Sequence, residues 1–295
     1  MSKAPPLAIR LYGTPLCICS RVRADTRLDV EHGEASGVGG VEPGQCERRA
    51  ATLPRAPAQP ENAPMIVRLL WLFLLFAPGV RAGETTYTAA RPLVVGVVLF
   101  ADFEMLDVFG PLEMFSLLDE RVRIVTLAAT PGPVRSRNGP AVIAERSLAD
   151  AGALDLLLVP GGFGTRRAVD DAAFVYAIAR LGGQAPQVAS VCTGAALLAR
   201  AGLLDGRRAT TNKQAFAWVQ SQGANTAWVR SARWVEDGRF ATSSGVSAGT
   251  DLALALIARH FDRTTAERVA RDAEYLWNAS SEVDPFAADA APATR

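Results

Sequence analysis

Cys192 stands in Ser190-Val-Cys192-Thr-Gly194, with small residues two before and two after the thiol. That spacing suits a nucleophile elbow, a strand-to-helix turn too tight for larger side chains. A thiol at a helix start also faces free N–H groups and the positive end of the dipole, which favours the thiolate. The bland counterpart is a cysteine packed as a small hydrophobe. Gly161-Gly162 closes a buried apolar run. It reads either as an oxyanion hole of exposed backbone N–H groups or as an ordinary strand-ending turn. Asp107, in Phe103-Glu104-Met-Leu-Asp107, is a carboxylate among apolar neighbours. Such a residue serves a pocket or caps a helix, and on position alone capping is the simpler reading.

Histidine is informative by its scarcity. The chain has two, and His32 lies far from these motifs. His260 follows an apolar run at a helix end, where it would meet the carbonyls and the dipole. A Cys–His dyad therefore has only one poorly placed imidazole, and the expected proton partner of the thiol is a carboxylate. No His/Cys pair has metal-ligand spacing, and Cys17-Ile-Cys19 lacks a second pair. Neither a metal nor a cofactor is expected.

The elements that must position these residues alternate in type. Leu93–Phe100, Val122–Ala128, Leu154–Val159 and Gln187–Val191 read as strands, several of them continuous apolar runs suited to burial on both faces. Helices are expected at 107–118, with Pro111 in the first turn, and at 170–181, 194–200, 248–260 and 263–277. Asp237-Gly238 marks a tight hairpin. Such alternation predicts an α/β fold, a doubly wound and mostly parallel sheet covered on both faces. Ligands of such sheets bind beyond the carboxyl ends of the strands.

The chain has 295 residues, is 49% hydrophobic and carries a net charge of +1, so composition gives no electrostatic case for nucleic acid. Residues 1–64 are rich in Pro, Gly, Ala and Arg without an apolar period. Met65-Ile-Val-Arg68, the apolar Leu69–Phe76 and Ala77-Pro-Gly-Val80-Arg-Ala82 then have the three parts of a secretory signal. The apolar run is too short to span a bilayer. The expectation is a signal peptide over 65–82, cleavage near Ala82, and a periplasmic or secreted product without stable membrane insertion. Residues 1–64 would then be an upstream extension of the reading frame. The competing arrangement is a disordered leader before an uncleaved anchor. Of four cysteines only Cys192 lies beyond Ala82. Residues 284–295 read as a flexible Ala/Pro/Asp tail.

Several motifs occur in order: Asp107-Val-Phe-Gly-Pro111-Leu-Glu-Met-Phe115, Leu158-Val-Pro-Gly-Gly162, Ser190-Val-Cys-Thr-Gly-Ala195, Gly202-Leu-Leu-Asp-Gly-Arg-Arg-Ala-Thr-Thr211 and Thr242-Ser-Ser-Gly-Val-Ser-Ala-Gly249. Together, over residues 92–277, they resemble the ThiJ/PfpI superfamily. The resemblance implies a flavodoxin-like, class I glutamine amidotransferase-like fold. It implies a nucleophile at Cys192, an acidic partner at Asp107 and backbone donors at Gly161, Gly162 and Thr193. It also implies pocket residues at Glu104, Thr211, Asn212, Ser243 and Ser244. Protease-like members carry His after the cysteine, where this chain has Thr193. Deglycase-like members carry Thr-Thr-His, where this chain has Asn212. Cys-Thr with an Asp partner resembles the isonitrile hydratase branch. That branch implies a cofactor-free hydratase acting on a small molecule through a thioimidate, and a homodimer. The alternatives are a periplasmic thiol sensor or binding module, and a cysteine hydrolase or deglycase. Related sequences also form the front half of AraC-type regulators, whose C-terminal helix-turn-helix domain is not expected here.

Overall fold

The computed structural model describes residues 86–287. The signal-like segment, the residues before it and the last eight residues lie outside that range.

The strands form where the sequence is apolar and β-branched. β1 (Leu93–Val98) has no exposed residue, and β6 (Leu156–Val159) and β7 (Gln187–Ser190) are wholly buried. Continuous burial requires cover on both faces, and the helices supply it in two groups. The first is α1 (Met105–Ser116), α6 (Ala248–His260) and α7 (Arg263–Asp272), packed on one another. The second is α2 (Thr165–Ala168), α3 (Ala172–Gln184), α4 (Gly194–Arg200) and the short α5 (Phe216–Gln220). The remaining strands are β2 (Val122–Ala128), β3 (Gly132–Arg135), β4 (Ala141–Ala144), β5 (Arg146–Ser147), β8 (Arg208–Ala209), β9 (Ala227–Trp228), β10 (Trp234–Asp237) and β11 (Phe240–Ser243).

The main sheet has the order β10-β11-β7-β6-β1-β2-β5. All neighbours are parallel except the β10–β11 hairpin. From β1 the chain runs outward to β2 and β5, then crosses back to β6, β7 and β11 on the other side. The β1/β6 boundary is therefore the topological switch point, where the loops leaving the carboxyl ends diverge and open a crevice. Val97 faces Leu158, and Val159 faces Ser190, so the loops after β1, β6 and β7 start at nearly one level. This is the expected flavodoxin-like arrangement.

Several expectations are corrected. α1 begins at Met105, because Glu104 is extended and acts as its N-cap, so Pro111 falls inside the helix. There it removes the N–H that would have bonded the Asp107 carbonyl. Helix α7 stops at Asp272 and not at 277: Glu274 turns left-handed (φ 48°), and Tyr275 and Trp277 fold back to hydrogen-bond Asp251 on α6. The expected loose tail does not begin at Asp284. That carboxylate is buried between Lys213 (3.6 Å) and Arg233 (3.7 Å). His260 does not serve the helix dipole. Burial pulls its pKa down to about 4, leaving a neutral ring edge-on to Tyr87.

Candidate active site

Cys192 follows β7 after one residue, Val191, and adopts φ 57°, a left-handed conformation that costs a non-glycine residue roughly 1–3 kcal/mol. The turn is held from both sides. The Cys192 N–H donates to Ser244 O (3.0 Å), and the Cys192 carbonyl accepts from Thr211 Oγ1 (2.7 Å). Two residues on, Gly194 admits no side chain, since a Cβ there would lie 2.2 Å from Val159 O. The elbow spacing read from the sequence thus has a direct steric cause.

Asp107, in the first turn of α1, is fully buried. It caps nothing. Its Oδ2 accepts the Gly161 N–H at 2.8 Å. Its Oδ1 has no hydrogen-bond partner of good geometry, and the other donor acting on the carboxyl is the Cys192 thiol. The carboxyl thus meets the thiol while one of its oxygens keeps no hydrogen-bond partner. Burial raises the Asp107 pKa to about 7, and the nearby Glu104 charge adds to that, while the Gly161 N–H and the thiol oppose it. Burial, then the Asp107 charge, push the Cys192 thiol up in turn. This corrects the expectation of a helix-favoured thiolate: desolvation and a neighbouring carboxylate outweigh the few N–H groups of a short helix.

The donors around the sulfur also differ from the expected set. The Thr193 N–H, the Val246 N–H and the Asn212 amide act on it. Gly161 spends its N–H on Asp107, and Gly162 gives its own to Thr193 Oγ1 (3.0 Å). Thr193 Oγ1 also lies 3.1 Å from Thr165 Oγ1. The Gly-Gly loop therefore orients Asp107 and Thr193. Gly161 has to be glycine, because a Cβ would come within 2.5–2.8 Å of Thr193 N and Asp107 Oδ2. Val246 was not legible as a site residue. Its φ of 45°, unusual for a β-branched residue, aims its N–H at the thiol, and no local pattern encodes that.

A cavity of about 370 Å³ opens above the sulfur and includes Cys192, Glu104, Asn212 and Val246 in its wall. Phe163, Arg137 and Arg166, none of them singled out from the sequence, form part of the same wall. Of the expected pocket residues, Glu104 and Asn212 line it. Thr211 and Ser243 are buried behind the elbow, and Ser244 borders a neighbouring hollow with Phe286. A larger hollow of about 540 Å³ lies over the ends of β1 and β2, but it is lined by neither Cys192 nor Asp107. His260 sits next to Tyr87 and feels the Asp155 charge, and the Asp155 carboxylate bonds the Val94 N–H near the start of β1. The imidazole is thus at the opposite end of the sheet from the thiol. Among the described residues no cluster of His, Cys, Asp and Glu could hold a metal.

A flavodoxin-like sheet with a cysteine at a left-handed elbow, paired with a buried carboxylate, defines a class of α/β proteins. The chain belongs to the DJ-1/PfpI family, whose model matches residues 94–259. It is 35% identical over 184 residues to the isonitrile hydratase of Pseudomonas putida, covering 62% of this chain and 78% of that protein. It is 31% identical over 195 residues to the HTH-type transcriptional regulator GbdR of Pseudomonas aeruginosa, covering 64% of this chain but 51% of the regulator, about half its length. A crystal structure of a ThiJ/PfpI family protein from Pseudomonas syringae superposes with a TM-score of 0.58 at 32% identity, covering 62% of this chain and 75% of that one.

Proposed function

We propose that the protein is a cysteine-dependent hydratase that converts an isonitrile and water to an N-substituted formamide. The observation that carries the reading is the buried Asp107 carboxyl, one of its oxygens without a hydrogen-bond partner, paired with the Cys192 thiol at a cavity that no described imidazole lines. An isonitrile carbon accepts both a nucleophile and a proton, so the reaction needs S–H delivered across one atom. The sulfur bonds to that carbon while the thiol proton passes through Asp107 to the same carbon, giving a thioimidate. Water then adds to the thioimidate carbon, its proton moving by way of Asp107 to nitrogen. The carbon–sulfur bond breaks, the thiol recovers its proton, and the formamide leaves. The Thr193 and Val246 N–H groups steady charge on sulfur during attack and departure. The similarity to the Pseudomonas putida enzyme supports the same reading.

Incubating the full chain with a simple alkyl isonitrile and following the formamide by mass spectrometry tests it. Turnover that disappears in Cys192→Ala is expected. An intact, alkylatable Cys192 without turnover removes the assignment. The signal-like segment over 65–82 supports an exported protein, for which N-terminal sequencing of extracellular or periplasmic material should begin at Gly83. A mature start before Met65 would overturn that part of the reading.

A further inference from the structure

The cavity wall carries two guanidiniums that the chemistry above does not use. Arg137 stands over the Phe163 ring, its guanidinium carbon 3.6 Å from the centroid. Arg166 stands over Phe163 at 5.0 Å and over Trp218 at 4.7 Å. Both side chains are exposed, and neither makes an ion pair or hydrogen bond with a described residue. By contrast Arg167, next in sequence, pairs with Asp102 at 2.6 Å. A guanidinium held over an aromatic ring keeps its N–H groups unspent, and those groups match a carboxylate in two-point geometry. One acid, Glu104, lines the same cavity, and its charge acts on Asp107. The site is therefore polarised, with carboxyls toward the sulfur and, on Phe163, cations unpaired among the described residues.

We propose that the substrate carries a carboxylate at the end remote from the reacting carbon, and that Arg137 and Arg166 bind it. This rests on the hydratase reading for the reacting group: the ligand class is an isocyano carboxylate, isonitrile inward and anion outward. The inward end meets Cys192 and Asp107 without adding a third negative charge there. The outward end meets two cations that have no counter-ion among the described residues.

Two measurements test the proposal, and they separate its failure from failure of the hydratase reading. In the first, isocyanoacetate and its methyl ester are compared as substrates. A kcat/KM about tenfold or more higher for the free acid is expected, arising in KM, with the ratio collapsing in the Arg137→Gln/Arg166→Gln variant. Equal kcat/KM values, or a preference that survives in the variant, overturn the proposal. The second needs no turnover. Alkylation of Cys192 by iodoacetate is divided by its alkylation by iodoacetamide, and that ratio is normalised to 2-mercaptoethanol. A ratio several-fold above the free thiol, lost in the double variant and reduced by added salt, supports anion capture even where no isonitrile is hydrated. A ratio at or below that of the free thiol overturns it.

Discussion

Asp107 is under two opposed demands. Its carboxyl is fully buried, which favours the neutral acid, while its proposed task requires an ionised oxygen facing the thiol. Its folded pKa, about 7, lies above the ordinary value of ~3.9 for an unfolded chain. The group therefore supports the fold fully below about pH 4 and loses that contribution as pH rises toward 7. Asp107→Asn should thus be more stable than the parent at pH 8, by up to about 4 kcal/mol, with little difference at pH 4, as seen in urea melts. Its isonitrile turnover should fall by about a hundredfold or more. In the parent, kcat/KM should rise with pH through about 7, as the acceptor form of Asp107 appears. The raised thiol pKa bears on the sensor alternative as well. Oxidation starts with thiolate attack on the peroxide, and burial and the Asp107 charge disfavour that thiolate.

At the level of elements, function depends on three loops being held at one height. The loop after β1 is joined to the Gly-Gly loop after β6 through Glu104 N–H to Gly161 O (2.9 Å) and Gly164 N–H to Asp102 O (3.2 Å). The elbow after β7 is pinned by Thr211 and Ser244. Thr211, a pocket residue by family resemblance, acts instead through the Cys192 backbone. Thr211→Val should leave a buried carbonyl without its donor and cost about 1–3 kcal/mol. It should lower kcat more than KM changes, because the thiol shifts while the binding wall stays. Gly194→Ala should do more damage. Its Cβ would press on the Val159 carbonyl, and thermal melting should show a loss of about 2–4 kcal/mol.

Over the whole molecule, the segment after α7 crosses back and locks the loop that bears Asn212. Arg233 Nε bonds Asp251 Oδ2 at 2.6 Å, and Asp284 lies between Arg233 and Lys213. Lys213 Nζ in turn donates to Ala232 O (2.6 Å) and Thr210 Oγ1 (3.0 Å), next to the elbow pin. Breaking a buried pair by removing one partner strands the other charge and costs roughly 3–5 kcal/mol. Asp284→Ala should therefore lower Tm by roughly 10 °C. A melting point within a degree or two of the parent would show that the segment is not structural.

The sequence alone determined the alternation of strands and helices, the two-sided burial of the sheet, and the elbow at Cys192. These are local: apolar runs, β-branched residues and small residues beside a tight turn act over a few positions. Tertiary structure decided what surrounds the thiol. On position alone Asp107 reads as a cap, and only the family resemblance implied an acidic partner; in the fold the Gly161 N–H, brought from another loop, takes one of its oxygens and leaves the other without a hydrogen bond. Val246, Arg137 and Arg166 gave no signal along the chain, because a backbone N–H has no residue signature and an arginine's partner is known only in space. Asp284 fell within an Ala/Pro/Asp stretch typical of loose tails, yet two buried cations hold it. The thiol's protonation depends on the same tertiary contacts. The helix dipole can be read from sequence, but the desolvation and the neighbouring charge that outweigh it depend on which loops meet above β1, β6 and β7.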